Sequence, residues 1–160
     1  MTITPEELRI AMRNWTTGVT IVTAEHEDNC HGMTVSSFTS LSLEPPLLSV
    51  SLYNTSRTHA LVTAAGTFGV TVLAEDQEEI SNTFAGRISD EGDRFADCEV
   101  TYLDSKIPFI KGGLSFFECK VRQTIPMGTN TLFVGEIVAT KAVQGGKPLL
   151  YFDQKYQKLG

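Results

Sequence analysis

Long apolar segments are absent from this sequence. No apolar run approaches the roughly 20 residues that span a bilayer. Residues 1–5 also lack the charged region and the following apolar region that begin a secretory signal. Both absences favour a protein that neither crosses a membrane nor is exported. We therefore expect a cytoplasmic location and no membrane partner.

Basic residues are also scarce. The chain carries 13 Lys and Arg against 19 Asp and Glu, for a formal net charge of -6. These Lys and Arg are scattered along the chain, whereas a surface that binds nucleic acid needs them clustered. We therefore expect no nucleic-acid partner.

Cysteine pairs, metal-ligand spacings and several enzyme motifs are missing. Cys30, Cys98 and Cys119 are odd in number and include no Cys-x-x-Cys pair, which argues against a disulfide framework and a zinc site. The three histidines have no spacing that pairs them as metal ligands or with a nucleophile. The chain has neither Gly-x-Gly-x-x-Gly nor Gly-x-Ser-x-Gly, and residues 145–148 lack key positions of a phosphate loop. These absences disfavour a dinucleotide-binding domain, a hydrolase and a metalloenzyme.

The sequence does contain the material of a folded core. Its 160 residues fit one domain, 1–160, and 41% apolar with 20% charged residues is typical of a globular chain. Thr4-Pro5 with Glu7 predicts a capped helix that reaches about Trp15. Alternation from Gly18 predicts a strand, and the polar residues 25–31 predict a hairpin turn.

Further strands and two short helices complete the predicted order. Strands are predicted from about 33 and at 47–52, 67–73, 98–103, 114–124 and 131–140, and helices at about 56–66 and 75–85. Many short strands with few helices are typical of a barrel. We therefore expect a mainly β fold, a barrel with short flanking helices.

Six hydroxyl side chains occupy residues 34–42, where a barrel strand is expected to be apolar. Buried hydroxyls and backbone groups need hydrogen-bond partners, and a flat heterocycle with a polar edge would supply them. The same pattern is typical of an edge strand that faces water. From the residues alone, both interpretations stay open.

A second polar cluster, Tyr-Asn-Thr-Ser-Arg-Thr at residues 53–58, lies between the third predicted strand and a helix. Free N–H groups in the first turn of a helix, two hydroxyls and a guanidinium suit a phosphate group. Asn and Ser are also common helix caps, so this cluster too has a purely structural interpretation. Together, the two clusters match the two ends of FMN, a polar ring edge and a phosphate.

The segment from Gly32 to Pro46 reads Gly-Met-Thr-Val-Ser-Ser-Phe-Thr-Ser-Leu-Ser-Leu-Glu-Pro-Pro and closely resembles the signature of the short-chain flavin reductases. These proteins are the reductase components of two-component flavin-dependent monooxygenases. The resemblance extends over nearly the whole chain, through residues 17–23, 54–58, 66–70, 84–86, 93–95, 131–136 and 148–151. It implies an FMN-binding split β-barrel, a single flavin reductase-like domain, and a homodimer that binds FMN or FAD near the subunit interface.

The resemblance also implies a set of flavin contacts. They are Thr34, Val35, Ser36 and Ser37 at the isoalloxazine edge, Ser51 and Leu52 along the ring and ribityl chain, Asn54, Ser56, Arg57 and Thr58 at the phosphate, Phe84 beside the flavin, and Tyr151, which would close the site from the C-terminal segment. Two of these have equally ordinary structural interpretations. Phe84 with Ile80 has the spacing of helix core, and Tyr151 suits a buried anchor of the C-terminal segment.

One segment departs from the family pattern. Many members carry Gly-Asp-His before the strand that here begins at Thr131, and those residues are associated with nicotinamide binding and hydride transfer. This chain has Gly128-Thr129-Asn130 instead. Asn130 does not titrate near neutrality as His does, although its amide can orient a carboxamide by hydrogen bonds. Asn130 is therefore a candidate nicotinamide contact.

The function implied is that of an NAD(P)H:flavin oxidoreductase. It would reduce FMN or FAD by hydride transfer from NADH or NADPH and supply the reduced flavin to a partner monooxygenase. No catalytic side chain is expected, because the flavin carries the chemistry and the protein orients it. Two alternatives stay open: a flavoprotein oxidase of the pyridoxamine-phosphate oxidase type, and a non-catalytic flavin-binding module.

Overall fold

A computed structural model describes residues 1–87 and 92–160 of the chain. Three short helices and twelve strands follow one another along these residues. They are α1 (Pro5–Met12), β1 (Thr17–Gly18), β2 (Thr20–His26), β3 (Asn29–Val35), β4 (Thr39–Leu43), β5 (Pro46–Tyr53), α2 (Arg57–Ala65), β6 (Thr67–Val72), α3 (Glu78–Phe84), β7 (Val100–Thr101), β8 (Phe109–Ile110), β9 (Ser115–Met127), β10 (Asn130–Ala142), β11 (Leu150–Phe152) and β12 (Lys155–Gln157). The fold is mainly β, as the sequence predicts.

Seven strands form one antiparallel sheet in the order β3-β2-β6-β9-β10-β5-β4. Its two edges, β3 and β4, are consecutive in the chain and are joined by residues 36–38. Within the described residues these edges do not pair, so the sheet is not closed. Strands β1, β11 and β12 form a second sheet, and β7 pairs with β8.

The β2 strand contributes to two hydrophobic cores, because successive side chains of a strand point to opposite faces. Val22 and Ala24 pack in one core with Phe133 of β10. Ile21 packs in the other core, with Phe84 of α3. Both faces of β2 are therefore covered, and the predicted alternation is confirmed.

The first helix begins as predicted but ends earlier. Glu7 N–H donates to Thr4 Oγ1 at 3.1 Å, and Thr4 N–H donates to Glu7 Oε2 at 2.7 Å, which forms the capping box. The helix ends at Met12 rather than near Trp15, because Trp15 N–H bonds to the carbonyl of Met12 at 3.0 Å and tightens the chain into a turn. None of the α1 residues is buried.

The hydroxyl-rich run 34–42 is not one strand, as a barrel strand beginning near residue 33 would require. β3 ends at Val35 and β4 starts at Thr39, with residues 36–38 outside both. The β3 strand also begins four residues before the predicted start. Its hairpin with β2 turns through Glu27 and Asp28, whose φ angles of 51° and 65° are typical of a type I′ turn.

Two predicted elements are shorter in the structure. The strand predicted at 98–103 is reduced to β7, because the chain turns at Cys98, whose N–H donates to Phe95 O at 3.1 Å. The helix predicted from residue 75 begins at Glu78, since Gln77 Oε1 accepts from Ala74 N–H at 2.9 Å and stabilises a turn. The predicted end of α2 is confirmed, because Gly66 has a left-handed φ of 70°. Among the described residues, no helix is long and apolar enough to cross a membrane.

Candidate functional site

Ser37 ties the connection between β3 and β4 to strand β5. Thr39 pairs with Ser49 in the β4–β5 ladder, so the same register continued by two residues would place residue 37 opposite residue 51. The Ser37 hydroxyl replaces its own backbone there: Ser37 Oγ donates to Ser51 O at 3.0 Å and accepts from Ser51 N–H at 2.9 Å. Residues 36–38 lie outside both ladders, and no further backbone hydrogen bond among the described residues engages them. Their N–H and C=O groups are therefore available to a ligand.

Three of the predicted flavin contacts meet around one cavity. Thr34, Ser36 and Tyr151 line a space of about 160 Å³, although Tyr151 lies more than a hundred residues from the other two in the sequence. Arg87 lines the same space. The structure thus brings Thr34 of β3 and Ser36, which follows β3, together with Tyr151 of the C-terminal segment, and their contact with a flavin stays a prediction.

Helix α3 holds the wall of this cavity through hydrogen bonds. Thr34 Oγ1 donates to Ser81 O at 2.6 Å, and Ser81 Oγ lies 2.7 Å from the hydroxyl of Tyr156. The Tyr156 hydroxyl donates to Asn82 Oδ1 at 3.1 Å. The Tyr151 and Tyr156 rings lie side by side, with centroids 5.4 Å apart. The position of the β11–β12 hairpin is therefore fixed against α3 and β3.

A larger cavity adjoins the first one. It measures about 490 Å³, shares Ser36 and Tyr151 with the smaller cavity, and is also lined by the aromatic rings of Trp15 and Tyr53. A flat ring bound against Ser36 would therefore have a second compartment beside it, walled by aromatic side chains.

Asn130 lies next to the predicted ring contacts. Its Nδ2 donates to Ser51 Oγ at 3.1 Å, and its Oδ1 accepts from Thr129 Oγ1 at 3.2 Å. Asn130 stands opposite Tyr53 in the β10–β5 ladder, and Tyr53 lines the larger cavity. One N–H of its amide has no partner among the described residues.

Asn54 fixes the segment before α2 to the β9–β10 turn. Its Nδ2 donates to Gly128 O at 2.9 Å, and its Oδ1 accepts from Thr131 Oγ1 at 2.7 Å. The Asn54 N–H donates to Thr129 O at 3.0 Å. The amide of Asn54 thus has a structural role, and its contact with phosphate stays a prediction.

Ser56 is the N-cap of α2. Its Oγ accepts from His59 N–H at 3.1 Å and donates to Tyr53 O at 2.9 Å. The structural interpretation of this cluster is therefore confirmed. The N–H groups of Arg57 and Thr58 in the first turn make no backbone hydrogen bond to other described residues. The N–H groups of Arg57 and Thr58 can therefore donate hydrogen bonds to an anion at this helix end.

The side chains of Arg57 and Thr58 diverge. Arg57 is exposed and lines a third cavity, of about 470 Å³, with Arg94 and Tyr102. Thr58 is fully buried, and its Oγ1 lies 2.8 Å from His31 Nδ1. A phosphate at this helix end would meet the Arg57 side chain, but only the N–H of Thr58.

Three further predicted contacts have buried side chains. Val35, Leu52 and Phe84 are at most 5% exposed and belong to the two cores. Any flavin contact of Val35 or Leu52 would therefore use the backbone. Phe84 packs edge-on against Phe95, with ring centroids 5.0 Å apart. The side chain of Phe84 is therefore part of the hydrophobic core.

The pKa values of all three thiols are raised in this structure. Burial raises the pKa of Cys30 and Cys98, and raises that of Cys119 to about 12. All three are therefore protonated at neutral pH. Within residues 1–87 and 92–160, no three His, Cys, Asp or Glu side chains are grouped as metal ligands would be.

Sequence reasoning missed Ser81, Asn82, Arg87 and Tyr156 as parts of this site. The only signal was the proximity of the first three to the motif at residues 84–86. Tyr156 required prediction of the β11–β12 hairpin, whose turn passes through Asp153 and Gln154 with positive φ angles.

Comparisons with known proteins agree with one another. A protein-family model described as a flavin reductase like domain matches residues 12–160. The NADH-dependent flavin reductase StyB of Pseudomonas fluorescens is 36% identical over 151 residues, which cover 92% of this chain and 86% of StyB. The solved structure of the styrene monooxygenase flavin reductase SMOB from Pseudomonas putida S12 matches with a TM-score of 0.85 at 35% identity, over 96% of this chain and 97% of SMOB.

A second solved structure carries ligand fragments. It is the NADH:FAD oxidoreductase SgcE6 of Streptomyces globisporus, in complex with NAD and FAD fragments. It matches with a TM-score of 0.91 at 29% identity, over 100% of this chain and 97% of SgcE6. These similarities cover the described fold from end to end.

Proposed function

Because the chain belongs to the flavin reductase-like family, we propose that it is an NAD(P)H:flavin oxidoreductase that supplies reduced flavin to a partner monooxygenase. The split β-barrel implied by the sequence is the fold of this family, and the open seven-stranded sheet matches it. The observation that carries the proposal is the meeting of Thr34, Ser36 and Tyr151 around one cavity beside the unpaired backbone of residues 36–38.

The residues fit the ring end of a flavin. The isoalloxazine edge presents alternating N–H and C=O groups, which the backbone at Ser36 and Ser37 complements. That backbone lies outside both ladders and is held in place through the Ser37 hydroxyl. When bound, the flavin would accept a hydride from the reduced nicotinamide, while the chain orients the ring.

The residues also fit the phosphate end. The first turn of α2 offers two N–H groups, and the exposed Arg57 adds a guanidinium at the same position. We propose that this turn, the Ser56 cap and the segment held by Asn54 bind the flavin phosphate. Thr58 would contribute its N–H alone, because its side chain is buried.

Asn130 is the proposed nicotinamide contact. Its amide keeps one N–H for a carboxamide oxygen after donating to Ser51 Oγ. Since StyB is an NADH-dependent reductase, NADH is the donor we expect first. The flavin is FMN or FAD, and it would leave after reduction, as a substrate that passes to the monooxygenase. Because reduced nicotinamide is an intracellular metabolite, we also propose a cytoplasmic location.

A homodimer is the proposed assembly, with one domain of 160 residues in each subunit. Helix α1 buries none of its residues, and its Leu8 and Met12, which lie four residues apart on one face, are 49% and 55% exposed. Trp15, which lines the larger cavity, is 69% exposed. Apolar side chains grouped in this way are typical of a surface that a partner covers. A second copy of the chain packed on α1 would close the larger cavity from outside.

Anaerobic stopped-flow absorbance with NADH or NADPH tests the proposed activity. Bleaching of the oxidised flavin band on mixing supports a reductase. Persistence of that band with both donors would contradict the proposal and leave the oxidase of the pyridoxamine-phosphate oxidase type or the non-catalytic module. If the protein binds neither FMN nor FAD at micromolar concentration, flavin binding itself is contradicted.

A further inference from the structure

Arg87 places a fixed positive charge at the predicted ring site. It is the only charged residue among the described residues that line the 160 Å³ cavity with Thr34, Ser36 and Tyr151. Its Nη2 donates to the Tyr151 hydroxyl at 3.0 Å, and its Nη1 donates to Asn82 Oδ1 at 3.3 Å. The guanidinium therefore belongs to the site by geometry.

Within residues 1–87 and 92–160, the Arg87 guanidinium has no counter-ion. Among the described residues it forms no ion pair with a carboxylate, and its two hydrogen-bond partners are neutral. Its guanidinium carbon lies 5.8 Å from the ring centroids of both Tyr151 and Tyr156, which also restrains the side chain. The hydrogen bond to Tyr151 raises the pKa of Arg87, so the group keeps its charge. An uncompensated, restrained cation favours a ligand that carries negative charge.

The hydroxyl of Tyr151 can still donate a hydrogen bond to a ligand. The Tyr151 oxygen accepts from Arg87, and no acceptor for its own proton is found among the described residues. Tyr156 differs, because its proton is given to Asn82 Oδ1. The Tyr151 O–H is therefore polarised by a cation and available to the cavity.

The charge of the flavin ring changes in the proposed reaction. The C4–H bond of the reduced nicotinamide breaks, its electron pair and hydrogen form the N5–H bond of the flavin, and the nicotinamide becomes a cation. The matching negative charge appears at the N1–C2=O edge of the flavin, so the reduced ring is an anion whereas the oxidised ring is neutral. A guanidinium at that edge discriminates between the two forms.

We propose that Arg87, oriented by Asn82 and acting with the Tyr151 hydroxyl, holds the N1–C2=O edge and makes the site bind reduced flavin more tightly than oxidised flavin. The inference rests on the proposed function, because it requires the isoalloxazine ring to occupy this cavity. It assigns a specificity-determining role to a residue that the flavin-contact motifs do not include.

The test measures two dissociation constants and one potential. Oxidised flavin is titrated by fluorescence quenching, reduced flavin is titrated anaerobically, and the midpoint potential of bound flavin is measured by reductive titration. Arg87→Met is expected to lower the preference for reduced flavin about tenfold, which equals a fall of about 30 mV for a two-electron couple. Arg87→Lys keeps the charge and should retain most of the preference.

Two further variants complete the design. Lys111→Met removes one surface positive charge that pairs with Glu99 outside the site, so it matches the charge change of Arg87→Met and should leave the preference unchanged. Tyr151→Phe removes the hydroxyl and should lower the preference about threefold. If Arg87→Met fails to fold, the Tyr151→Phe titrations decide the outcome.

The results separate the inference from the proposed function. Equal weakening of oxidised and reduced flavin in Arg87→Met, with an unchanged potential, would overturn the inference and leave Arg87 as a packing residue. An unchanged preference in Tyr151→Phe would overturn it in the same way if Arg87→Met is unfolded. Failure of the unaltered chain to bind either form of flavin would instead overturn the proposed function.

Discussion

The Ser37 hydroxyl exchanges two hydrogen bonds with the backbone of Ser51, at 3.0 and 2.9 Å. A side chain thereby extends the β4–β5 ladder past the point where the backbone leaves it. This single hydroxyl therefore attaches the proposed binding edge to strand β5.

Ser37→Ala is expected to destabilise the protein by about 1–2 kcal/mol, because it removes both hydrogen bonds to Ser51. It should also weaken flavin binding, since the backbone of residues 36–38 is no longer restrained. Urea denaturation and fluorescence titration with FMN measure the two effects. Ser40→Ala is the matched control, because Ser40 is exposed on β4 and makes no side-chain hydrogen bond among the described residues. Equal effects of the two substitutions would contradict this role of Ser37.

Arg57→Ala is expected to weaken FMN binding by about 1.5–3 kcal/mol, because a charge-assisted hydrogen bond to phosphate is lost. Riboflavin lacks the phosphate, so its affinity should not change. Fluorescence quenching by the protein measures both ligands under the same conditions. A similar loss for riboflavin would show that Arg57 acts on the ring site or on the fold.

Leu8→Asp is expected to convert the proposed dimer into a monomer, because it places a charge in the apolar face that Leu8 shares with Met12. Light scattering coupled to gel filtration measures the mass directly. Thr63→Asp introduces the same charge at an exposed position of α2 and should leave the dimer intact. A monomeric mass for the unaltered chain at tens of micromolar would refute the proposed assembly.

The buried thiol of Cys119 is expected to make the folded protein less stable in alkali. Its thiol has an ordinary pKa of 9.0, which burial raises to about 12 in the folded chain. The folded state therefore binds the proton more tightly than the unfolded state, and this contribution is complete below pH 9 and lost as the pH rises to about 12. Urea denaturation between pH 8 and 11 should show a steeper decline for the unaltered chain than for Cys119→Ala. Parallel declines would exclude a contribution from this thiol.

Elements whose position depends on neighbouring residues could be predicted from the sequence. The capping box at Thr4, the alternation along β2 and the glycine that ends α2 each depend on neighbouring residues, and all three predictions are confirmed. Only the family resemblance grouped Tyr151 with Thr34 and Ser36, and these three residues line one cavity. A contact between residues so far apart in the sequence cannot be predicted from local patterns.

Other features depend on tertiary contacts and escaped prediction. The break at residues 36–38 has no Gly or Pro to mark it, and it arises because the chain must pass from one sheet edge to the other. Arg87 has no distinguishing pattern in the sequence, and only its contacts with Asn82 and Tyr151 reveal its place. The length of the strand predicted at 98–103 was overestimated, because its partner strand β8 has only two residues.

Helix α1 has a consequence for the response of the protein to dilution. It has eight residues and no buried side chain, and a helix this short is marginal in water without packing. The proposed neighbouring subunit would supply that packing, so helix content and thermal midpoint should both rise with protein concentration. On dilution, the amino terminus would fray first, while the seven-stranded sheet, which has its own core, would stay intact.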